Sequence, residues 1–235
     1  MPAPPRSPVH HWTASLAALA ALVLYLLLPG VIAVGPRWLI PTLEAVLVVV
    51  LHLVRAVRRS EEEVEIRILI VAVIALIGLA NVISVSLLVD HLLYGGITRG
   101  RPLLYGAVSV WFTNIIVYSL WFWQLDRGGP VARAHGHERT PDFQFPQMVT
   151  APAPASAPAP RTDTGSPARA GSAQAAVWEP TFFDYFYVAL TNAAAFSPTD
   201  TMPLSRAAKA LMSAESLVSI VTVGIVAARA VNILG

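Results

Sequence analysis

Long apolar runs are the feature of this sequence that most limits how it can fold. Four of them precede residue 127, at residues 12–34, 38 to about 54, 68–89 and 103–125. Each is close to the roughly 20 apolar residues that an α-helix needs to cross a bilayer. Because lipid offers the backbone no hydrogen-bond partners, such runs cross as helices. The sequence therefore predicts an all-α, polytopic transmembrane helical bundle.

The composition favours the same class of protein. The chain is 55% hydrophobic and 13% charged, against about 25% charged residues in an average soluble domain. Its net charge of +2 is spread through the loops without a dense basic block, so the lipid bilayer is an expected partner and nucleic acid is not. The absence of cysteine excludes disulfides and thiolate metal sites.

The amino-acid composition of residues 127–176 differs from that of the apolar runs before it. Much of this stretch is rich in Pro, Ala and Ser, and such sequence cannot bury enough surface to offset the entropy cost of ordering. We therefore divide the chain into a disordered tail at 1–11, a four-span transmembrane unit at 12–126, a disordered linker at 127–176 and a helical hairpin at 177–235. Within the linker, residues 143–148 can form a short ordered segment.

Arginine residues predict the orientation in the membrane. Seven lie beside the two loops on one side: Arg55, Arg58, Arg59, Arg67, Arg127, Arg133 and Arg139. Three lie on the other side: Arg37, Arg99 and Arg101. Because loops rich in Lys and Arg stay in the cytoplasm, we expect the linker and the N-terminus to be cytoplasmic. With six spans the C-terminus is cytoplasmic as well.

The length of the fifth apolar segment does not decide whether it crosses the membrane. Residues 181–196 cover about 24 Å of a hydrocarbon core of roughly 30 Å. Starting the segment at Ala175 gives a crossing length, but it places Glu179 and Asp184 near the membrane boundary. We therefore expect five full spans plus this segment, which is either a sixth span or a re-entrant pore-like helix.

The C-terminal hairpin resembles the pore module of potassium channels. Residues 182–184 followed by Tyr187 are similar to the start of a pore helix, and residues 200–203 are similar to the exit of a filter. Glu215 and residues 228–229 are similar to positions in bacterial inner helices. The resemblance covers about 50 of the 235 residues. It implies an ion channel-like pore loop in an oligomer.

The filter positions depart from the potassium pattern. Aligned with that family, residues 195–200 read AFSPTD. A potassium filter presents rings of backbone carbonyls, and its glycines supply backbone angles that other residues resist. Both glycines are absent here, and the φ angle of Pro198 is fixed near −65°. The hairpin is thus a pore module with a degenerate filter, and we do not expect potassium selectivity.

Three stretches also resemble an uncharacterised family of bacterial multi-pass inner-membrane proteins. They read WQLDRGGP, PDFQFPQ and FSPTDTMPLSR. The resemblance extends from the fourth span to the C-terminus. It implies an inner-membrane location and a multi-pass architecture, and it implies no particular activity.

Polar residues inside or between the apolar runs of the hairpin are the candidate site residues. Four form a candidate pore mouth or turn: Ser197, Pro198, Thr199 and Asp200. Three are candidates for a lumen or a buried polar position: Glu215, Asn192 and Asp184. Structural roles stay open for them, namely snorkelling for Asp184, a hydrogen bond between helices for Asn192 and helix capping for the turn.

The predicted function follows from these candidates. We find no nucleotide, hydrolase or zinc-protease motif, and residues 135–138, which read HGHE, lack the spacing of a helical metal pair. We therefore expect no enzymatic activity, no cofactor and no metal site. The expected function is channel-like permeation of a small inorganic ion by a homo-oligomer, without potassium selectivity. The alternative is a non-conducting membrane scaffold or interaction protein whose pore-derived hairpin is structural.

Overall fold

The computed structural model of the chain describes residues 11–30, 33, 38, 42, 46, 63–94, 100–134, 139–150, 178–195 and 200–234. Within these residues the helices are α1 (His11–Leu26), α2 (Glu63–Leu93), α3 (Gly100–Leu125), α4 (Pro130–Ala134), α5 (Pro146–Thr150), α6 (Phe182–Ala195) and α7 (Arg206–Leu234). A 3-10 turn, Asp126–Gly128, follows α3. Two short strands complete the described fold, β1 (Phe143–Gln144) and β2 (Met202–Pro203).

Three of the described helices are long and apolar enough to cross a membrane. The stretches are Arg67–His91, Leu104–Gly128 and Arg206–Ala228, and α1 adds a shorter apolar stretch, Ser15–Leu26. The structure is thus mostly helical, with three helices whose length and composition suit a membrane protein. The predicted second span, 38 to about 54, falls almost wholly outside the described residues, as does the tail at 1–11. The total of five or six spans stays a prediction.

The central helix of the fold is α3, which packs against α1, α2, α6 and α7. It meets α2 closely at Gly78, where an added Cβ atom would lie 3.3 Å from Val117 Cγ1. Because α3 is surrounded by other helices, its polar residues Thr113, Asn114 and Ser119 are buried along with its apolar ones. Polar groups in such a position need partners from within the protein.

The last helix, α7, runs antiparallel to α3. Near the middle of both helices, Asn114 Nδ2 donates a hydrogen bond to Glu215 O over 3.3 Å. Where α3 ends, the Asp142 backbone N–H donates to Asp126 Oδ1 over 2.8 Å, and Leu204 N–H donates to Asp142 O over 2.8 Å. The start of α7 therefore lies where α3 ends. We call this end of the bundle the Asp126 end.

The stretch after α3 is folded against the C-terminal hairpin. Strands β1 and β2 pair antiparallel, with Phe143 opposite Pro203 and Gln144 opposite Met202. Phe143 and Phe145 are buried, and their aromatic area distinguishes this stretch from the Pro/Ala/Ser sequence that follows. The structure differs here from the predicted disordered linker, because residues 127–134 and 139–150 are folded. Residues 135–138 and 151–177 lie outside the described residues.

Helix α6 begins at the Asp126 end, and the chain after it is back at the same end. Tyr185, in the first turn of α6, donates a hydrogen bond to Asp126 Oδ2 over 2.6 Å, and Met202 pairs with β1. Ala195 is ten residues beyond Tyr185, which is about 15 Å along a helix. The seven residues from Ala195 to Met202 can reach up to about 23 Å. We call residues 182–195 and 200–204 the return segment, because α6 does not run to the other end of the bundle.

Thiol labelling tests this path, since the native chain has no cysteine. Gln147 and Met202 are exposed at the Asp126 end, whereas Tyr94, 82% exposed, follows the far end of α2. In sealed vesicles we expect a membrane-impermeant maleimide to label Gln147→Cys and Met202→Cys from the same side and Tyr94→Cys from the opposite side. Labelling of positions 147 and 202 from opposite sides would show that α6 crosses the membrane.

Candidate functional site

A buried carboxylate lies where α3 ends. Asp126 is 0% exposed. Its Oδ2 accepts a hydrogen bond from the Tyr185 hydroxyl at 2.6 Å, and its Oδ1 accepts one from the Asp142 backbone N–H at 2.8 Å. Both oxygens therefore have a donor, as a buried carboxylate requires. We call the group Asp126, Arg127, Arg133, Asp142 and Tyr185 the Asp126 cluster.

Arg133 joins the end of α3 to the return segment. Its Nη1 donates to the backbone oxygens of Asp126 at 2.6 Å and of Trp123 at 3.0 Å. These carbonyls belong to the end of a helix, where the partial charge is negative and a cation is stabilising. The Arg133 guanidinium also lies 5.4 Å from the centre of the Tyr185 ring, a distance typical of a cation–π contact.

The turn after α3 is shaped by three successive residues with positive φ. The angles are 51° at Arg127, 83° at Gly128 and 100° at Gly129. The turn lets the Arg127 N–H donate to Asp142 Oδ2 at 3.0 Å. At Gly129 an added Cβ would lie 3.0 Å from Gln124 Oε1, so both backbone angle and space favour glycine there. The Gly-Gly pair therefore has a structural role in the turn that follows α3.

The Asp126 cluster was not among the predicted site residues. Its members come from three places that are distant in sequence, residues 126–133, Asp142 and Tyr185, which meet at the Asp126 end. The available signal was the alternation of Phe143 and Phe145 with Gln144, which is typical of a strand buried on one face. Nothing in the sequence indicates which distant segment such a short strand pairs with.

A second polar cluster lies within the bundle, and Asn192 of α6 is at its centre. Asn192 Nδ2 donates to Glu215 Oε2 at 2.7 Å and to Met212 O at 2.9 Å. Asn192 Oδ1 accepts a hydrogen bond from Ser216 Oγ at 3.2 Å. Asn192 is 1% exposed and Glu215 is 0% exposed. The structure thus brings together two of the three predicted lumen or buried polar residues.

The central helix contributes Asn114 to the same cluster. Asn114 Nδ2 donates to Glu215 O at 3.3 Å and to Ser219 Oγ at 3.2 Å. Asn114 therefore ties α3 to α7, as Asn192 ties α6 to α7. We call Asn114, Asn192, Glu215, Ser216 and Ser219 the Glu215 cluster.

One oxygen of the Glu215 carboxyl has no partner. Glu215 Oε1 is buried and has no hydrogen-bond partner among the described residues. Glu215 is nine residues after Arg206, or about 13 Å along the helix, close to half the thickness of a hydrocarbon core of roughly 30 Å. Placing an ionisable side chain at this depth of a membrane costs free energy, so Glu215 is a candidate functional residue on that ground alone.

The two faces of α7 differ in polarity. Glu215, Ser219 and Thr222 are buried against the rest of the bundle, whereas Leu217 and Ile220 are 64% and 48% exposed. The outward face suits lipid or another apolar surface. Glu215 therefore points into its own bundle and not toward the outside of the chain.

The other predicted site residues lie apart from this cluster. Asp184 Oδ2 accepts hydrogen bonds from Thr181 N–H at 2.6 Å and from Thr181 Oγ1 at 2.7 Å, so Asp184 caps the start of α6. Asp200 is exposed, and its Oδ1 accepts a hydrogen bond from Thr201 Oγ1 at 3.3 Å. Three residues of the candidate pore mouth lie outside the described residues: Ser197, Pro198 and Thr199.

Neither a metal site nor a similar protein of known function assigns a role to these clusters. Within the described part of the chain, no group of three or more His, Asp or Glu side chains is placed to hold a metal ion. Residues 135–138 lie outside that part. No family model, curated protein or solved structure matches this chain. The resemblances to the potassium-channel pore module and to the bacterial membrane family therefore stay predictions.

Removal of one hydroxyl group tests how much the Asp126 cluster contributes to the free energy of unfolding. Tyr185→Phe takes away the donor of Asp126 Oδ2 without a change in ring size. We expect a loss of about 1.5–3 kcal/mol in the free energy of unfolding, since the acceptor is a buried charged group. The measurement is reversible unfolding in detergent micelles, followed by tryptophan fluorescence.

Tyr187→Phe is the matched control on the same helix, because Tyr187 is 43% exposed. We expect it to change the free energy of unfolding by less than about 0.5 kcal/mol, as surface substitutions usually do. Equal effects of the two substitutions would show that the Tyr185–Asp126 hydrogen bond does not hold the return segment in place.

Proposed function

We propose that this chain is a channel-like ion permeation protein without potassium selectivity. The observation that supports it most is the return segment, which we interpret as re-entrant. It enters the bundle for about 15 Å and leaves at the end where it entered, with the Glu215 cluster beside its inner part. Channels and transporters use helices that end inside the membrane to present polar groups to ions.

The charges of this arrangement favour a cation. Helix α6 starts at the Asp126 end, so its C-terminus at Ala195 points into the bundle. The C-terminus of a helix carries a partial negative charge. The Glu215 carboxyl is hydrogen-bonded to Asn192, which lies about one turn before the C-terminus of α6. Both features stabilise positive charge at mid-depth, and an anion would meet repulsion from both.

The proposed path lies within one chain, between α3, α6 and α7. Buried hydroxyls continue from Glu215 toward the far end of the bundle: Ser219, Thr222, Thr113 and Ser109. The outward face of α7 presents large apolar side chains, Leu217 and Ile220, whereas Glu215, Ser219 and Thr222 face the bundle. Homo-oligomers, which we still propose, would then join complete conducting units, and several copies would not be needed to form one lumen.

The interpretation of α6 changes the proposed topology. With a cytoplasmic linker in a bacterial inner membrane, the re-entrant α6 starts and returns on the cytoplasmic side. Helix α7 then crosses the membrane once, so we propose a C-terminus on the opposite face. This differs from the cytoplasmic C-terminus that six spans predict.

A non-conducting scaffold is the second candidate. The exposed apolar side chains of α6 and α7 favour it, because Phe183 is 71% exposed and Leu217 is 64% exposed. In a membrane, such a face can pack against helices of another protein as well as against lipid. The Glu215 cluster would then serve only to hold α3, α6 and α7 together.

Ion flux into liposomes separates the two candidates. We expect purified, reconstituted protein to pass cations without a preference for potassium, as measured with ion-sensitive dyes for sodium, potassium, protons and chloride. The physical reason is that residues 195–200 lack the glycines of a potassium filter. The absence of flux for every ion, in protein shown to be folded, would leave the scaffold as the function.

A blocking experiment tests whether the return segment lies on the path. Asp200 is exposed next to β2, so we expect a bulky thiol reagent to inhibit flux through Asp200→Cys. The matched control is Tyr94→Cys. Tyr94 is exposed just after the C-terminal end of α2, away from the Asp126 end, and the same modification there should leave flux unchanged. Equal sensitivity of the two variants would place the path elsewhere.

A further inference from the structure

The carboxyl group of Glu215 is satisfied on one side only. Its Oε2 accepts the Asn192 amide at 2.7 Å, whereas its Oε1 is buried with no hydrogen-bond partner among the described residues. The side chain itself is 0% exposed. A half-satisfied carboxyl at mid-depth has a free position for one more ligand.

Two ligand classes fit a free carboxylate oxygen, a metal cation and a proton. A dehydrated metal cation needs several oxygen ligands, about six or more for the common divalent ions. Among the described residues no group of three or more His, Asp or Glu side chains is placed to hold a metal ion. Asn192 Oδ1 is already bonded to Ser216, and Ser219 Oγ accepts from Asn114. A proton needs only the one oxygen, and it removes a charge whose burial costs several kcal/mol.

The groups around Glu215 are neutral. On α3 the titratable group that interacts electrostatically with Glu215 is the Tyr118 hydroxyl. On α6 the facing side chain is Asn192, and the described residues 185–195 contain no acid or base other than tyrosine. On α2 the charged residues lie near the helix ends, at Glu63, Glu65, Arg67, Asp90 and His91. No described cation compensates a Glu215 carboxylate, so protonation is the means of neutralising it.

We propose that Glu215 is a proton-binding site at mid-depth, and that the proton is the ion that this chain passes. The role in flux rests on the proposed permeation function, whereas the binding of a proton does not. In each cycle the Glu215 carboxyl gives H⁺ to a water molecule, leaving a carboxylate that still accepts the Asn192 amide. Uptake of H⁺ from a hydronium ion on the other side restores the neutral carboxyl and leaves a water molecule, so charge and atoms balance.

Polar groups lie on both sides of Glu215 along the bundle. The return segment leads from the Asp126 end to Asn192, the direct partner of Glu215. In the opposite direction lie the buried hydroxyls of Ser219, Thr222 and Thr113, of which Thr113 Oγ1 has no hydrogen-bond partner among the described residues. Hydroxyl groups can both donate and accept, which a chain of proton transfers requires.

The test combines infrared spectroscopy with proton flux on the full chain in liposomes. Glu215→Gln keeps the size of the side chain and an acceptor oxygen for Asn192, but it cannot release a proton. We expect the acid-minus-alkaline infrared difference spectrum to contain the C=O band of a buried protonated carboxyl, and Glu215→Gln to lack it. We expect proton flux, followed with a trapped pH dye, to fall in Glu215→Gln to the leak of protein-free liposomes.

Two further variants keep the experiment decisive. Asp90→Asn removes an exposed carboxylate at the end of α2 and should leave both the band and the flux unchanged. Glu215→Asp keeps a titratable group, so we expect it to retain a shifted band and partial flux, which shows that loss in Glu215→Gln is not misfolding.

The outcomes separate this inference from the proposed function. The band without flux of any ion supports proton binding at Glu215 and overturns permeation. Proton flux that persists in Glu215→Gln, without the band, overturns the role of Glu215 and leaves permeation standing. Flux of sodium or potassium that depends on Glu215, with no band from a protonated carboxyl, overturns the proton site and identifies Glu215 as a metal-cation ligand.

Discussion

The hydrogen bond between Tyr185 and Asp126 is the interaction on which the rest of the described structure depends. A buried carboxylate must be satisfied, and Asp126 recruits donors from two segments that are distant from it in sequence. Through Asp142 the same carboxylate fixes β1, and β1 in turn holds the chain after α6. Both ends of the return segment are therefore set by one side chain at the end of α3. The positions of these two ends determine how far α6 extends into the bundle and which residues of α7 it contacts.

The second polar cluster depends on the first. Asn192 meets Glu215 only because α6 starts beside Asp126 and runs inward for about two turns. A shift of α6 by one residue would turn Asn192 away by about 100° and leave buried polar groups without partners. Amide side chains between helices thus specify the register, while the apolar residues of α3 contribute to the main hydrophobic core.

The long helices could be predicted from the sequence because length and hydropathy alone define a membrane span. Glu215 and Asn192 stood out for a related reason, since a polar residue in an apolar run is conspicuous. Their direction was not predictable, because the face that a helix turns inward depends on its neighbours. Residues 127–134 and 139–150 were the larger difference: the composition of the whole linker is that of disorder, yet these residues are folded, and buried aromatic residues and one buried carboxylate hold them. Two-residue strands leave no periodic signal, so the pairing of β1 with β2 could not be foreseen.

The sequence separation of the Asp126 contacts has a consequence for how the chain assembles. The Tyr185 hydroxyl that satisfies Asp126 is 59 residues further along the chain, so α3 is synthesised well before its last turn can acquire this donor. The earlier helices can associate through apolar contacts alone, whereas docking of α6 waits for the chain that follows the linker. Closing so long a loop is slow relative to local helix formation. The return segment thus assembles after the earlier helices, and a chain that ended before residue 185 would lack the donor of Asp126 Oδ2.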